Sequence, residues 1–190
     1  SAPEIHGKWS LRASITGELV FEDVRVPKEN VFPDIRGLKG PLSCLSKARY
    51  GIAWGAIGAA LDCYDSALRY SLEREQFGRP IAGFQLQQKK LAEMITEITK
   101  AQLLTLRLGQ LRNEGKATSG QISMAKRNNV DMACECAREA RRLLGANGIL
   151  VEYNSMRHLA NLESVYTYEG THEVHTLAMG RALTGLNAFS

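Results

Sequence analysis

Two hydrophobic periods divide this chain: apolar residues alternate ahead of Pro27, and after Pro41 they recur every three or four positions. The pattern predicts a short β-rich lead-in followed by helices. The clearest helix runs from Gln85 to Arg112, with Leu91, Met94, Ile95, Ile98, Ala101, Leu104, Leu108 and Leu111 on one stripe, and it closes at the polar turn Asn113-Glu114-Gly115-Lys116. Thr118-Ser119-Gly120-Gln121 has the form of a capping box. Beyond it Ile122, Ala125, Met132, Ala133, Cys136, Ala140 and Leu143 keep the helical period until Gly145-Ala146-Asn147-Gly148 ends it. From about Leu42 to Arg74 small and apolar residues crowd together. Gly51, Gly55 and Gly58, at i, i+4 and i+7, predict that a neighbouring helix comes close, so this helix is expected to be central. A shorter helix is expected around Asn154 to Glu163. A last one is N-capped by Thr171, carries Val174, Leu177, Ala178 and Leu183, and ends at Gly185. Three long helices and shorter ones joined by brief loops make the expected fold mainly α, an antiparallel helix bundle.

The lead-in is different. Residues Trp9 to Val26 read as strands, and Thr16-Gly17 is placed to turn a hairpin. Two or three short strands do not make an independently stable sheet, so they either pack on the bundle or pair with strands outside these residues. The second is expected. The division drawn from sequence is therefore residues 1–40 as a β segment with its linker and residues 41–190 as the bundle.

With 190 residues and 44% hydrophobic content the chain can bury a real core. No apolar run approaches the length of a membrane helix, and Ser1 to Gly7 lacks the features of a signal peptide, which suits a cytoplasmic protein with no membrane partner. The net charge of +4 is modest. Glu135 and Glu139 interleave with Arg138, Arg141 and Arg142, and no aromatic platform accompanies them, so no nucleic-acid partner is expected. Cys44, Cys63, Cys134 and Cys136 are too scattered for a disulfide framework and read as reduced thiols. No metal site is expected either. His172 and His175 miss the i, i+4 zinc-protease spacing, and Glu169-Gly170-Thr171-His172 is one Glu-x-x-His pair where a di-iron bundle needs two.

Chemistry concentrates in Tyr168-Glu169-Gly170-Thr171-His172-Glu173-Val174-His175, where a carboxylate stands two residues before a helix start. Gly170 allows a sharp bend or a close approach, so Glu169 is held at a junction, as a positioned base would be. An ordinary loop carboxylate next to glycine looks the same in sequence. Three other segments ask for more than packing. Arg74 to Gln85 breaks between two long helices with a Phe77-Gly78 turn; a connector explains its glycine and proline, but its arginines also suit a pyrophosphate or carboxylate. Arg142 to Gly148 is a glycine-punctuated loop that serves equally as a helix C-cap or a phosphate cradle. Phe21-Glu22-Asp23-Val24-Arg25-Val26-Pro27 leads from the strands to the helices.

In this order and spacing the four segments resemble the C-terminal half of flavin-dependent acyl-CoA dehydrogenases, and the likeness covers nearly the whole chain. A narrower likeness, to the family's glutaryl-CoA branch, rests on Trp9-Ser10-Leu11-Arg12-Ala13-Ser14, Ala48 to Gly55, Asn128-Asn129 after Lys126-Arg127, and Arg157 to Glu163 running into the Glu169 motif. The resemblance implies dehydrogenation of an acyl-CoA thioester with Glu169 as catalytic base, followed in that branch by loss of the distal carboxylate as CO2 to give crotonyl-CoA. It implies FAD as cofactor. Arg74 and Gln85 would reach the FAD of a neighbouring subunit, Arg142 and Ala146 would line that flavin's adenine-diphosphate path, and Thr171, Glu173 and Phe189 would touch FAD beside the catalytic loop. Leu42 to Arg49, with Gly170, would form the acyl-CoA pocket. It also implies a homotetramer, electron-transfer flavoprotein as electron acceptor, and a cytoplasmic or, in a eukaryote, mitochondrial-matrix location.

The chain departs from the family where Arg142, Ala146 and Glu173 stand in place of Gln, Gly and Gln in many relatives. Larger pieces are absent altogether: the N-terminal helical domain and most of the middle β-domain, with the arginine that recognises the glutaryl carboxylate. The resemblance thus implies a fragment, inactive by itself and weak in FAD binding, with residues 1–40 a remnant of the β-domain. Two other readings stand beside it: an acyl-CoA dehydrogenase that does not decarboxylate, and a non-catalytic oligomerisation module.

Overall fold

The computed structural model describes residues 1–189, and among them the regular structure is helical apart from one two-stranded ribbon. Five helices follow in order: α1 (Lys39–Glu73), α2 (Gln85–Asn113), α3 (Ser119–Leu143), α4 (Ser155–Thr167) and α5 (His172–Thr184). The ribbon, β1 (Glu75–Gln76) and β2 (Arg79–Pro80), joins α1 to α2. The expected antiparallel bundle is therefore the observed fold. Its local signals also act as read: the Thr118 hydroxyl accepts from the Gln121 N–H at 3.2 Å while the Gln121 side chain accepts from the Thr118 N–H at 2.9 Å. Gly185 ends α5 in the left-handed conformation, φ 73°.

The centre of the bundle is α3, not α1. Helix α3 packs on α1, α2, α4 and α5, and Ile122, Ala125, Val130, Ala133, Ala137 and Ala140 bury almost every turn of it. Small alanines let four neighbours approach one helix. Asn129 joins α3 to two of them: its buried amide donates to the Ala53 carbonyl on α1 at 3.1 Å and to the Thr105 hydroxyl on α2 at 2.6 Å. The glycines Gly51, Gly55 and Gly58 face the other way. A Cβ at any of them would meet nothing within 4 Å, so no helix of this chain uses the close approach they permit. Their period was real, but sequence could not say which face they lay on.

Phe77 and Gly78 both take positive φ, 56° and 76°, which is the two-residue turn that matches the twist of a β ribbon. The Arg79 guanidinium then lies 4.1 Å from the centre of the Phe84 ring and fastens the ribbon to the start of α2. The strands expected between Trp9 and Val26 do not form. In their place stands extended chain with one isolated bridge, Glu4 to Gly17, extended by backbone bonds between Ser1–Ile5 and Thr16–Val20. Thr16 and Gly17 sit inside this pairing and turn no hairpin. The segment touches the bundle where the Leu11 N–H donates to Asn161 Oδ1 at 2.7 Å and Ser10 hydrogen-bonds Ser164, both on α4. Ile15, Leu19, Phe21, Val24 and Val26 are exposed, which is why extended chain of this composition builds no sheet here: their apolar faces find no partner among the described residues.

Candidate active site

Only Tyr168 to Thr171 separates α4 from α5, and the turn is made by two consecutive left-handed residues, Glu169 at φ 52° and Gly170 at φ 96°. For glutamate this conformation costs on the order of 1 kcal/mol, so surrounding contacts must hold it. Three basic side chains from three helices do so. From α1, Arg49 Nε donates to the Glu169 carbonyl at 2.7 Å. From α3, Lys126 Nζ donates to the next carbonyl, Gly170, at 3.0 Å and reaches back to Tyr166 at 3.4 Å. From α5, the His175 ring packs on Gly170 so closely that a Cβ there would stand 3.0 Å from Nε2. Thr171 caps α5, its hydroxyl accepting from the Val174 N–H at 3.3 Å.

The surroundings are dry. Lys126 and His175 are each 1% exposed. Burial, then the Arg49 charge, brings the Lys126 amine down to about 8, against a smaller upward pull from Glu169. Burial, with Lys126 and Arg49 nearby, lowers the His175 imidazole to about 4, so it is neutral near pH 7, with Nδ1 paired to Ser123 Oγ at 3.1 Å. One carboxylate oxygen of Glu169, Oε2, is buried with no hydrogen-bond partner. Glu169 is thus fixed by its backbone at this turn, with one carboxylate oxygen unpaired and the Arg49 and Lys126 side chains close by.

Of the residues singled out from sequence, Glu169, Gly170, Thr171, Glu173 and Arg49 meet at this turn. Arg49 meets it through the loop backbone. Glu173 lies exposed in the first turn of α5, its carboxyl held below the usual range by bonds to its own backbone N–H and the Thr171 side chain. Leu42 is exposed two turns before Arg49 on the same face of α1. Phe189, half exposed beyond α5, donates its N–H to Asn187.

Arg74, Gln85 and Ala146 are gathered at the opposite end of α1. Arg74 caps the C-terminus of that helix and Gln85 begins α2. Asn147 Nδ2 donates to the Tyr70 hydroxyl at 3.1 Å, one turn before Arg74, and so pins the Gly145–Ile149 turn to the same region. That turn tucks under α3: Gly148 lies against the Arg141 carbonyl where no side chain fits. Arg74 is exposed and pairs with no carboxylate among the described residues, which suits an anionic ligand. Arg142, by contrast, is engaged by Glu139, which also pairs with Lys90 at 3.6 Å. Arg49 and Arg74 are joined by continuous helix, which puts them roughly 37 Å apart. The two groups of residues therefore stand toward opposite ends of α1.

Sequence reasoning passed over Lys126, Ser123 and the packing role of His175. A signal for Lys126 existed: it sits four residues after Ile122 and seven before Ala133, a core position on the α3 stripe.

The C-terminal domain model of acyl-CoA dehydrogenases matches residues 36–184, and the chain belongs to this family. Among curated relatives it is 36% identical to glutaryl-CoA dehydrogenase of Desulfococcus multivorans over 86% of this chain and 43% of that protein. It is also 36% identical to the short-chain specific acyl-CoA dehydrogenase of Megasphaera elsdenii, over 93% of this chain and 46% of that protein. Two solved structures of glutaryl-CoA dehydrogenase from Mycobacterium smegmatis superpose on all of this chain and 49% of theirs. One has a TM-score of 0.98 at 54% identity, and the other, in complex with FADH2, has 0.97 at 49%. The chain thus spans about half the length of the relatives it matches.

Proposed function

We propose that these residues are the base-bearing half of an FAD-dependent acyl-CoA dehydrogenase in which Glu169 removes the α proton of the acyl-CoA thioester. The observation that carries this reading is the buried, unpaired Oε2 of Glu169 on a turn held by Arg49 and Lys126. FAD supplies, when bound, the acceptor for the hydride leaving the β carbon. Leu42, Arg49 and Gly170 are the proposed acyl-CoA contacts, Arg49 and Gly170 through the shape of the turn itself. Thr171, Glu173 and Phe189 are proposed at the flavin of the same active site. Arg74, Gln85, Arg142 and Ala146 are proposed at the adenine-diphosphate end of a second flavin held by a neighbouring subunit. The exposed, unpaired Arg74 fits that role, and Arg142 fits it on leaving Glu139.

The substrate we favour is glutaryl-CoA, with loss of CO2 to crotonyl-CoA, because the solved relatives at 54% and 49% identity are glutaryl-CoA dehydrogenases. In that step Glu169, protonated in the first, returns its proton to the decarboxylated carbanion. A dehydrogenase that does not decarboxylate is the second reading, favoured by the equal 36% identity to the short-chain relative. Trapping of labelled CO2 from carboxyl-labelled glutaryl-CoA separates the two. A homotetramer, electron-transfer flavoprotein as acceptor, a cytoplasmic or matrix location, and residues 1–40 as part of a middle β-domain complete the proposal. No helix of the described residues is long and apolar enough to cross a membrane.

The test of the base is Glu169→Gln in the full-length enzyme. The amide fits the turn but cannot take the proton, so turnover should fall about 10²- to 10⁴-fold with FAD still bound. Turnover within a few-fold of wild type would overturn the assignment. These 190 residues by themselves should hold FAD weakly, because they offer separate portions of two sites. Calorimetric titration with FAD checks this, sub-micromolar affinity being the contrary result. Colourless protein that nonetheless assembles from full-length chains would favour the oligomerisation module.

A further inference from the structure

A lysine that is 1% exposed and in no ion pair among the described residues needs a reason to be in a core, since burying its charge unpaired is unfavourable and a leucine would fill the space. Its two hydrogen bonds supply one. Tyr166 lies in the last turn of α4, where backbone carbonyls have no helical partner and carry the negative end of the helix dipole. Gly170 lies just past Glu169. One amine therefore joins the carbonyl before the strained residue to the carbonyl after it, at 3.4 Å and 3.0 Å, while Arg49 holds the carbonyl of Glu169 itself at 2.7 Å. Resting on the reading of Glu169 as the base, we infer that Lys126 is a positioning residue: it staples the two ends of the Glu169 turn and so fixes where the carboxylate is presented to the acyl-CoA. The amine donates to these carbonyls whether or not it carries a proton, and burial, which lowers it to about 8, leaves both forms accessible near neutrality.

The chemistry of the replacement decides the matter. Lys126→Met removes every donor, Lys126→Gln keeps a neutral one, and Lys126→Arg keeps a charged one. Hydrogen exchange of the protein followed by mass spectrometry should show the Tyr168–Thr171 amides exchanging at least about tenfold faster in Lys126→Met, with the interiors of α1 and α2 unchanged. In the full-length enzyme kcat should fall by up to about 10²-fold with KM within a few-fold, as expected when a reacting group is displaced by about an ångström. Lys126→Gln or Lys126→Arg should recover part of both effects. Unchanged loop exchange and kcat in Lys126→Met overturns the inference. So does a loss of protection spread evenly through the bundle, or a failure of Met and Gln variants to fold while Arg folds, because the lysine is then a structural core residue. The Glu169→Gln result stands apart: if that variant keeps turnover while Lys126→Met loosens the turn, the base assignment falls and the staple remains. If Glu169→Gln is inactive and Lys126→Met leaves the turn unmoved, the reverse holds.

Discussion

The imidazole of His175 leaves no room for a side chain at Gly170: a Cβ there would stand 3.0 Å from Nε2 and 3.1 Å from the Arg49 guanidinium, on a backbone with φ 96°. Gly170→Ala should therefore lower stability by about 1–3 kcal/mol, through both strain and contact. Urea unfolding measures it. A change within the error of the wild type would mean that the turn relaxes freely, and the rigidity ascribed to it would be lost.

His175 also gives the bundle an acid limit. Its folded pKa of about 4 lies below its ordinary 6.5, so as pH falls the unfolded chain takes up the proton first. The stability that neutral His175 confers is complete above pH 6.5, declines through the interval and is gone below about 4, a loss of about 3 kcal/mol in all. Of the groups that face it, Arg49, Lys126 and His172 oppose its protonation, while the Glu169 backbone favours it to a smaller extent than Lys126 and Arg49 oppose it. His175→Gln should flatten the stability slope between pH 6.5 and 4 relative to wild type, read from urea midpoints across that range. Parallel slopes would assign the acid sensitivity to other groups.

Asn129→Ala should cost about 2–3 kcal/mol, because it removes two buried hydrogen bonds and leaves a void where three helices meet. Thr118→Ala, which breaks only the exposed capping box, should cost about 1 kcal/mol. Measured side by side in urea, the two rank the junction above the cap. The opposite order would show that α3 is secured by its end and not by its middle.

The thiols offer a further check. Cys63 and Cys136 are buried and pushed up to about 12, and Cys134 to about 11, chiefly by burial, whereas Cys44 is exposed. A thiol reagent at neutral pH should modify Cys44 promptly and the other three only after denaturation. Rapid modification of more than one thiol in native protein would indicate that the core opens.

What sequence revealed and what it withheld divide along a physical line. Thr118, Thr171 and Gly185 were legible because caps are local: donor and acceptor lie within a few residues, and spacing alone identifies them. Glu169 was legible as a junction for the same reason. The face of Gly51, Gly55 and Gly58 was not, since period gives a stripe but not its neighbour. Lys126 was legible only as a charge at a core position of the α3 stripe, because its partners, Tyr166 and Gly170, are backbone carbonyls about forty residues away, which leave no mark in side-chain pattern. The lead-in strands do not form among the described residues, because alternation reports a side-chain preference, whereas a sheet also needs a partner edge.

Helix α1 runs without a break from the residue that grips the Glu169 turn to the residue beside the hairpin, and this makes it a ruler. Its 35 residues convert the spacing of Arg49 and Arg74 into a fixed separation and a fixed bearing. One inserted residue would swing one end by about 100° relative to the other while lengthening the rod by only about 1.5 Å. Seven would restore the bearing to within about 20° but add about 10 Å. Angle and length thus cannot both be preserved by any small insertion, so the stretch between the two arginines should tolerate substitution on its exposed face yet reject changes in length.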